Sequence, residues 1–486
     1  MNYFILLPIV AAFLLGASVP FQNFDSDEKI NKYATISTFL VSIITFIVLF
    51  SLNGERVTLF SFNSALNVAF KIDGLSTVFA SMVSFLWPLA VIYATEYMKH
   101  EGLLRKFYTF YIATFGVTLG IAFSRNMLTL YLCYELLTFI TLPLVAHTPG
   151  DRSKYAGKKY LIYSVSGASL SFVGMMIVLS KTGTLDFVYG GIGKVPKDNV
   201  LLFAYLLMFV GFGVKAAIFP LHGWLPAASV APTTVTALLH AVAVVKSGVF
   251  AIMRTTYYLF GTDFLFGTWA QNVVMTIAIV TICFGSWMAV RSKHFKRRLA
   301  YSTVSQLSYM LLGVTIMTPA GFTGAIAHMI YHALMKIVLF YTAGEVLYLY
   351  HKEYIRDIEG YGKKMPITFT CFMICSLAVI GVPPFAGFFS KFQIATRARA
   401  LGTKLGFAGI AALMISALFT AMYLLQIVVL AFLPHNDFDY SRLDGVKEGP
   451  KAMTVPMVVI TVMMVVLSLA SKPLFAVIST IANGGF

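Results

Sequence analysis

Read along the chain, apolar runs of near-constant length alternate with short polar connections. The alternation gives fourteen runs, at about 3–19, 33–52, 75–97, 107–123, 127–147, 159–180, 200–220, 231–258, 269–290, 301–317, 323–350, 367–381 with a continuation, 404–433 and 453–470. A helix crosses the hydrocarbon core of a bilayer with roughly 20 mostly apolar residues, so each run predicts a membrane span. Between the second and third runs, Val57 to Ile72 alternates apolar and polar positions with a period of two. That predicts a short hairpin outside the bilayer. No remaining stretch is long enough for a soluble domain. The apolar start, Met1 to Val19, has no basic region before it and no clear small-residue cleavage site. It reads as a first span and not as a removed signal peptide.

Composition agrees with the pattern. Of 486 residues, 58% are hydrophobic and 12% charged, against about 25% charged in soluble proteins, and the mean hydropathy is +0.81. This excludes a solvated globular enzyme and a disordered chain. The fold class is therefore an all-α integral membrane protein. A net charge of +16 would suggest nucleic acid in a soluble protein. In a membrane protein it follows from Lys and Arg collecting in cytoplasmic loops, so the expected partner is the lipid bilayer, with no nucleic acid. Cys133, Cys283, Cys371 and Cys375 lie in apolar stretches without paired spacing for zinc, haem or an iron–sulfur cluster. No cofactor is expected.

The charges also predict topology. With the N-terminus outside, the inner loops hold 21 cations (Lys29, Arg105, Arg152, Lys296, Arg298 and Arg442 among them) and the outer loops and helix ends hold 11, among them Arg56, Lys71, Arg125, Lys194 and Arg254. The excess predicts both termini outside, in a cell membrane. Four of the 36 Lys and Arg remain, Lys215, Lys246, Lys336 and Lys391, and all fall within apolar segments. A charged residue at the centre of a membrane helix costs roughly 2.5–3.5 kcal/mol on insertion scales. Such residues face a cavity or a partner and mark ion or proton routes. One acid joins them, Glu135.

Two lysines stand beside helix breakers. One segment reads Gly211-Phe-Gly-Val-Lys215-Ala-Ala-Ile-Phe-Pro220-Leu-His222-Gly-Trp224-Leu-Pro226, the other Ile380-Gly-Val-Pro383-Pro384-Phe-Ala-Gly-Phe-Phe-Ser-Lys391. Proline inside a helix removes a backbone hydrogen bond, and freed carbonyls survive at membrane depth only where protein or a cavity satisfies them. Interrupted segments at matching positions of two halves point to a transport site. The two lysines are 176 residues apart, which makes spans four to eight and nine to thirteen two five-helix repeats, with helices seven and twelve broken. A third cluster, His328, His332 and Lys336, has the spacing i, i+4, i+8 and so lies on one helix face. Histidine titrates near neutral pH and relays protons; zinc binding and plain core packing are the alternatives. His240 is six residues before Lys246, off its helix face, and is a weaker candidate, as is His222.

At this point the residues resemble a known family, the antiporter-like subunits of respiratory complex I, Mrp-type cation/proton antiporters and membrane-bound hydrogenases. The similarity is carried by Phe219-Pro-Leu-His222-Gly-Trp-Leu-Pro226, by Ala231-Pro-Thr-Thr-Val-Thr-Ala-Leu-Leu-His240-Ala with Val245-Lys246-Ser-Gly-Val, by Glu135, and by Gly381-Val-Pro-Pro-Phe-Ala-Gly-Phe-Phe-Ser-Lys391. The resemblance implies fourteen spans in two inverted repeats and a proton path along the central plane of the membrane. It implies that Glu135 and Lys215 form the glutamate–lysine pair, that Lys246 is the lysine of span eight, that His328, His332 and Lys336 are the connecting relay, and that Lys391 is the ionisable group of span twelve. Family members often carry Asp-Ala-His after Trp-Leu-Pro, where this chain has Ala227-Ala228-Ser229, so a titratable group expected there is missing. The sequence stops soon after span fourteen without the long lateral helix of the largest complex I member, and in this it resembles the shorter members, including the Mrp D-type subunit.

These readings combine into one expectation. Burial disfavours the charged form of a lysine and a nearby carboxylate favours it, so moving or neutralising Glu135 would switch Lys215 between holding and releasing a proton. Each charge crosses against about 2.3 kcal/mol per 100 mV. The sequence has no Walker A, haem or iron–sulfur motif, so it is expected to have no redox site of its own and to work among other membrane subunits. The expected function is that of a proton-translocating subunit of a redox-driven complex. The alternative is the D-type subunit of an Mrp Na⁺/H⁺ antiporter, with Na⁺ as a second ion. The expected divisions are 1–106 (spans one to three), 107–258 and 259–433 (the two repeats) and 434–486 (span fourteen).

Overall fold

The computed structural model describes residues 2–63, 65–193 and 196–485, without the side chain of Arg442. Lys194 and that side chain, both counted in the loop charges, lie outside the described residues. Helices of eight residues or more are numbered here in chain order, and the two parts of an interrupted helix share a number. They are α1 Leu7–Ser18, α2 Asp27–Ser51, α3 Gly74–Tyr97, α4 Leu104–Phe123, α5 Met127–Val145, α6 Asp151–Thr182, α7 Asn199–Gly213, α8a Thr233–Ala241, α8b Val244–Arg254, α9 Trp269–Arg291, α10 Phe295–Thr315, α11 Pro319–Tyr350, α12a Pro366–Ile380, α12b Ala386–Ala400, α13 Lys404–Phe432, α14 Lys451–Leu469 and α15 Ser471–Ala482. The protein is an all-α membrane protein.

Among the described residues, eleven helical segments are long and apolar enough to cross a membrane. The other three expected spans are different in kind. Helix α10 has 21 residues but opens on Lys296, Arg297 and Arg298. Helices α7 and α12 are interrupted where the sequence places Pro220 and Pro383-Pro384, and their longest continuous parts have 15 residues. A third interruption, in α8, was not expected. Val242 and Ala243 leave helical geometry, and both donate their N–H to Leu238 O, at 3.0 and 2.9 Å. No proline or glycine marks that site. The expected hairpin is present as β1 Arg56–Ser61 and β2 Asn67–Lys71, antiparallel, with Arg56 opposite Lys71. Helix α15 lies beyond the last expected span and packs on α11 and α14.

Loops expected to share a side are together in space. Residues 97–101, 148–153, 226–232, 294–297 and 347–354 surround one cavity of 750 Å³. Arg56, Lys71, Arg125 and Asp186 surround another of 430 Å³. Three cations assigned to loops are not free in solvent. Lys296 and Arg298 are only 6% and 4% exposed at the start of α10. Arg254 is 1% exposed and makes a two-pronged ion pair with Asp73, at 2.6 and 2.8 Å. Asp73 also caps α3 by accepting from Ser76 N at 2.9 Å, so the pair ties the start of α3 to the end of α8b.

Helix α11 is the axis of the molecule. It is buried from Gly321 to Val346 apart from Ile330 and packs on α3, α8a, α10, α12, α14 and α15. A polar face on such a helix is held inside protein, where each polar group needs a partner.

Candidate functional site: a buried line of lysines and histidines

The first break sits against α5. Lys215 is fully buried in the turn after α7. Its ammonium donates to Tyr134 O and lies 3.4 Å from the centre of the Tyr134 ring. Tyr134 OH in turn donates to Phe212 O at 3.2 Å. In the turn at the break, the carbonyl of Val214 accepts from Ala217 N at 3.0 Å and from Trp224 Nε1 at 2.7 Å. Helix α8b passes close behind this turn because Gly248 has no side chain. A Cβ there would lie 2.6 Å from Ala216 N and 3.0 Å from Lys215 Cβ. Gly248→Ala is therefore expected to lower stability by about 1–3 kcal/mol, the usual cost of overpacking, and to slow any transport that uses Lys215. Thermal unfolding in detergent and a transport assay read the two effects.

Glu135, next to Tyr134, does not make the direct ion pair that the resemblance implies. It is close enough to interact with Lys215 electrostatically. Its Oε1 has no hydrogen-bond partner among the described residues, and the side chain is half-buried among the exposed Leu132, Leu136 and Phe139.

The α11 stripe is where the sequence put it, and its members meet α8b, α10 and α12b. His332 Nδ1 lies 2.6 Å from Lys246 Nζ of α8b. His328 Nδ1 lies 2.9 Å from Ser390 Oγ of α12b, and its Nε2 3.1 Å from Gln306 Oε1 of α10. Lys336 Nζ donates to Ser302 Oγ at 2.6 Å. Lys246, His328, His332 and Lys336 are all fully buried. Because α8 is broken, the count of six residues does not decide the relation of His240 to Lys246. The His240 ring packs tilted against Phe340, 4.7 Å between ring centres, and neither ring nitrogen has a partner among the described residues.

The second break repeats the features of the first. Gly381 closes α12a with φ +92°, a conformation that glycine adopts without strain. Lys391 Nζ reaches back to Val379 O at 2.5 Å and Ile380 O at 3.1 Å, satisfying carbonyls at the end of α12a. It lies 4.8 Å from the centre of the Tyr309 ring of α10. Tyr134 and Tyr309 are 175 residues apart, and Lys215 and Lys391 are 176 apart. Where Glu135 follows Tyr134, Met310 follows Tyr309. The second break has no matching acid.

The principal residues thus fall in a row: Glu135 and Lys215 at one end, the hydrogen-bonded pairs Lys246–His332 and His328–Ser390 in the middle, their two imidazole rings 6.2 Å apart between centres, with Lys336 beside them, and Lys391 at the other end. Among the described residues no side-chain hydrogen bond joins Lys215 to Lys246. His222 stands apart, packed among Phe219, Phe284 and Tyr301.

The sequence reading missed a second buried acid. Glu345 of α11 is fully buried and accepts from Thr368 Oγ1 at 3.0 Å and Gly449 N at 2.9 Å. Glu448 accepts from the same hydroxyl and from Ile367 N at 2.8 Å, at the start of α12a. The 750 Å³ cavity lies on the same side and is lined by Glu101, His294, Lys296 and Glu353. Burial holds His294 below the ordinary histidine range although Glu353 is 3.4 Å away. Ser229, in the place where the family often has a titratable group, lines this cavity with its hydroxyl unpartnered among the described residues.

A multi-pass helical membrane protein with a buried line of ionisable groups and broken helices at its ends is the class that this fold and site define. Residues 124–420 match the family described as NADH:quinone oxidoreductase/Mrp antiporter, transmembrane, and residues 60–108 match the N-terminal family of complex I chain 5. The chain belongs to the NADH:quinone oxidoreductase/Mrp antiporter family. It is 33% identical over 400 residues to NADH-quinone oxidoreductase subunit L of Mycobacterium tuberculosis, covering 81% of this chain and 61% of that one. It is 32% identical over 343 residues to Na⁺/H⁺ antiporter subunit A1 of Staphylococcus aureus, covering 67% of this chain and 42% of that one. The chain thus spans less than two thirds of the length of these relatives. Its fold is that of a chain in the membrane-bound sulfane sulfur reductase, an archaeal respiratory membrane complex, with a TM-score of 0.85, 22% identity, and coverage of 99% of this chain and 96% of that one.

Proposed function

We propose that this chain is a proton-translocating subunit of a multi-subunit, redox-driven membrane complex, and that protons pass along Glu135, Lys215, Lys246, His332, His328 and Lys391, with Lys336 beside them. The observation that carries the proposal is the fully buried contact of Lys246 with His332, which links the helix after the first break to the stripe that leads to the second. Charges at this depth are expensive and are kept where they move ions. Each amine can hold one proton and pass it on; each imidazole can take one at one nitrogen and release one at the other.

The division at 107–258 and 259–433 is the reading of two repeats, supported by the matched pairs Tyr134–Lys215 and Tyr309–Lys391. The end where Glu101, His294 and Glu353 line the cavity is read as the inner side, and both chain termini as outer. The loop charges support this orientation. Proton uptake from that cavity would use Glu101 or the His294–Glu353 pair in place of the missing group near Ser229. Likeness to an Na⁺/H⁺ antiporter subunit favours a second reading, exchange against Na⁺. Which subunits co-purify separates the two.

Glu135→Gln and Lys215→Ala are each expected to abolish proton transport in vesicles, read with a pH-sensitive dye, while the complex still assembles. Unchanged pumping in both variants overturns the proposal.

A further inference from the structure

Helix α13 carries a second polar stripe. Ser416, Thr420 and Tyr423 have the spacing i, i+4, i+7, which places them on one face, and all are buried. Met414, Leu418, Met422 and Leu425 of the same helix are exposed. Buried hydroxyls in membrane helices often serve as glue between helices, or bond back to a carbonyl one turn earlier. Thr420 does the latter, donating to Ser416 O at 2.7 Å. The others are arranged differently, because they bond to one another. Lys336 Nζ donates to Ser302 Oγ at 2.6 Å, Ser302 Oγ lies 2.6 Å from Tyr423 OH, and Tyr423 OH is 3.3 Å from Thr420 Oγ1. One turn along α13, Ser416 Oγ is 2.5 Å from Ser286 Oγ and 3.0 Å from Ser305 Oγ, and those two are 2.7 Å apart. Tyr309 OH donates to Leu413 O of the same helix at 3.5 Å, and its ring centre lies 4.8 Å from the Lys391 ammonium.

We propose that this run of hydroxyls is a second proton branch between Lys336 and Lys391, parallel to His332, His328 and Ser390. Between Ser302 and Tyr423 and among Ser286, Ser305 and Ser416 either oxygen can be the donor, and Tyr423 OH donates to Thr420 Oγ1, the direction that carries a proton away from Lys336. When Lys336 gives a proton to Ser302 Oγ, Ser302 gives its own to Tyr423 and Tyr423 gives its own to Thr420. One proton enters and one leaves, and the hydroxyls reset by rotation. Thr420 turns from the Ser416 carbonyl toward the serine cluster, Tyr309 OH turns from the Leu413 carbonyl to take the proton from that cluster, and the last transfer is from Tyr309 OH to a neutral Lys391 amine. Position i+4 on a helix is only about 5–6 Å away between Cβ atoms, within reach of such a rotation. Two branches would keep the path open while either set of groups resets.

This inference rests on the proposed proton-transport function. Its test uses Tyr423→Phe, which removes one oxygen, in the intact complex in vesicles with a pH-sensitive dye, alone and in a His328→Gln background. Tyr423→Phe alone should slow transport a few-fold. In the His328→Gln background it should cause a further loss of about tenfold or more, in the range expected for removing a proton-transfer group. Parent behaviour of Tyr423→Phe in both backgrounds overturns the branch. Should that variant fail to assemble, Ser302→Ala and Ser302→Thr decide in its place: slow transport with Ala and parent rate with Thr uphold the branch, and parent rate with Ala overturns it. If Glu135→Gln and Lys215→Ala abolish transport while the Tyr423 variants are silent, the branch alone falls. If those two still pump, the transport reading itself falls.

Discussion

Replacing Lys246 with methionine should lower proton transport by about 10²-fold or more, the low end of what a positioned proton-transfer group contributes, with assembly intact. Methionine keeps the length and apolar bulk of the lysine stem, so the packing of α8b is preserved. What is lost is the contact at 2.6 Å with His332 Nδ1, which joins α8b to the α11 stripe. His332 Nε2 has no partner among the described residues, so the ring would then have none at either nitrogen. Lys246→Arg separates relay from charge. Arginine restores a cation, but it does not give up its proton in proteins. An electrostatic role would be rescued by arginine; a relay would not. The expected result is that both variants fail, read as the initial rate of dye response per assembled complex.

Asp73→Ala should destabilise the protein by about 3–5 kcal/mol, the usual cost of removing one partner from a buried ion pair. Arg254 is 1% exposed, stands among the rings of Phe187, Phe250 and Tyr258, and would keep only its bond to Ser76 Oγ at 3.0 Å. The start of α3 would also lose its cap. Asp73→Ala with Arg254→Met removes both charges and should recover much of the loss, since an apolar pair of similar volume is often no worse than a buried ion pair. Unfolding of the purified protein in detergent, by heat or denaturant, measures both. A loss under 1 kcal/mol in the single variant would contradict the reading of this pair as the tie between α3 and α8b.

The parts of this molecule legible in the sequence are those whose signal is local. The α11 stripe shows itself in a spacing of four, and the breaks at α7 and α12 in proline beside lysine. The α8 break has no such mark: Val242 and Ala243 are neither proline nor glycine, and the break shows only in the backbone, where both donate to Leu238 O. Arg254 was read as a helix-end cation because its partner, Asp73, is 181 residues away. Glu345 lies in the polar tail of a long apolar run and looks like a loop margin until Thr368 and Gly449 are folded against it. The α13 stripe was visible as Ser416, Thr420 and Tyr423, but serine and threonine are too common in membrane helices for spacing alone to single them out. For Glu135 and Lys215, the resemblance implied a pair, and in the fold the Tyr134 backbone and ring take the lysine instead.

The central claim is that protons pass through this subunit. The most direct measurement is the number of protons moved per turnover of the complex in sealed vesicles, for the parent, Lys246→Met and Glu135→Gln. The account predicts fewer protons per turnover in both variants, with the same shortfall, because both cut one path. The parent number at the parent turnover rate in both variants would contradict it.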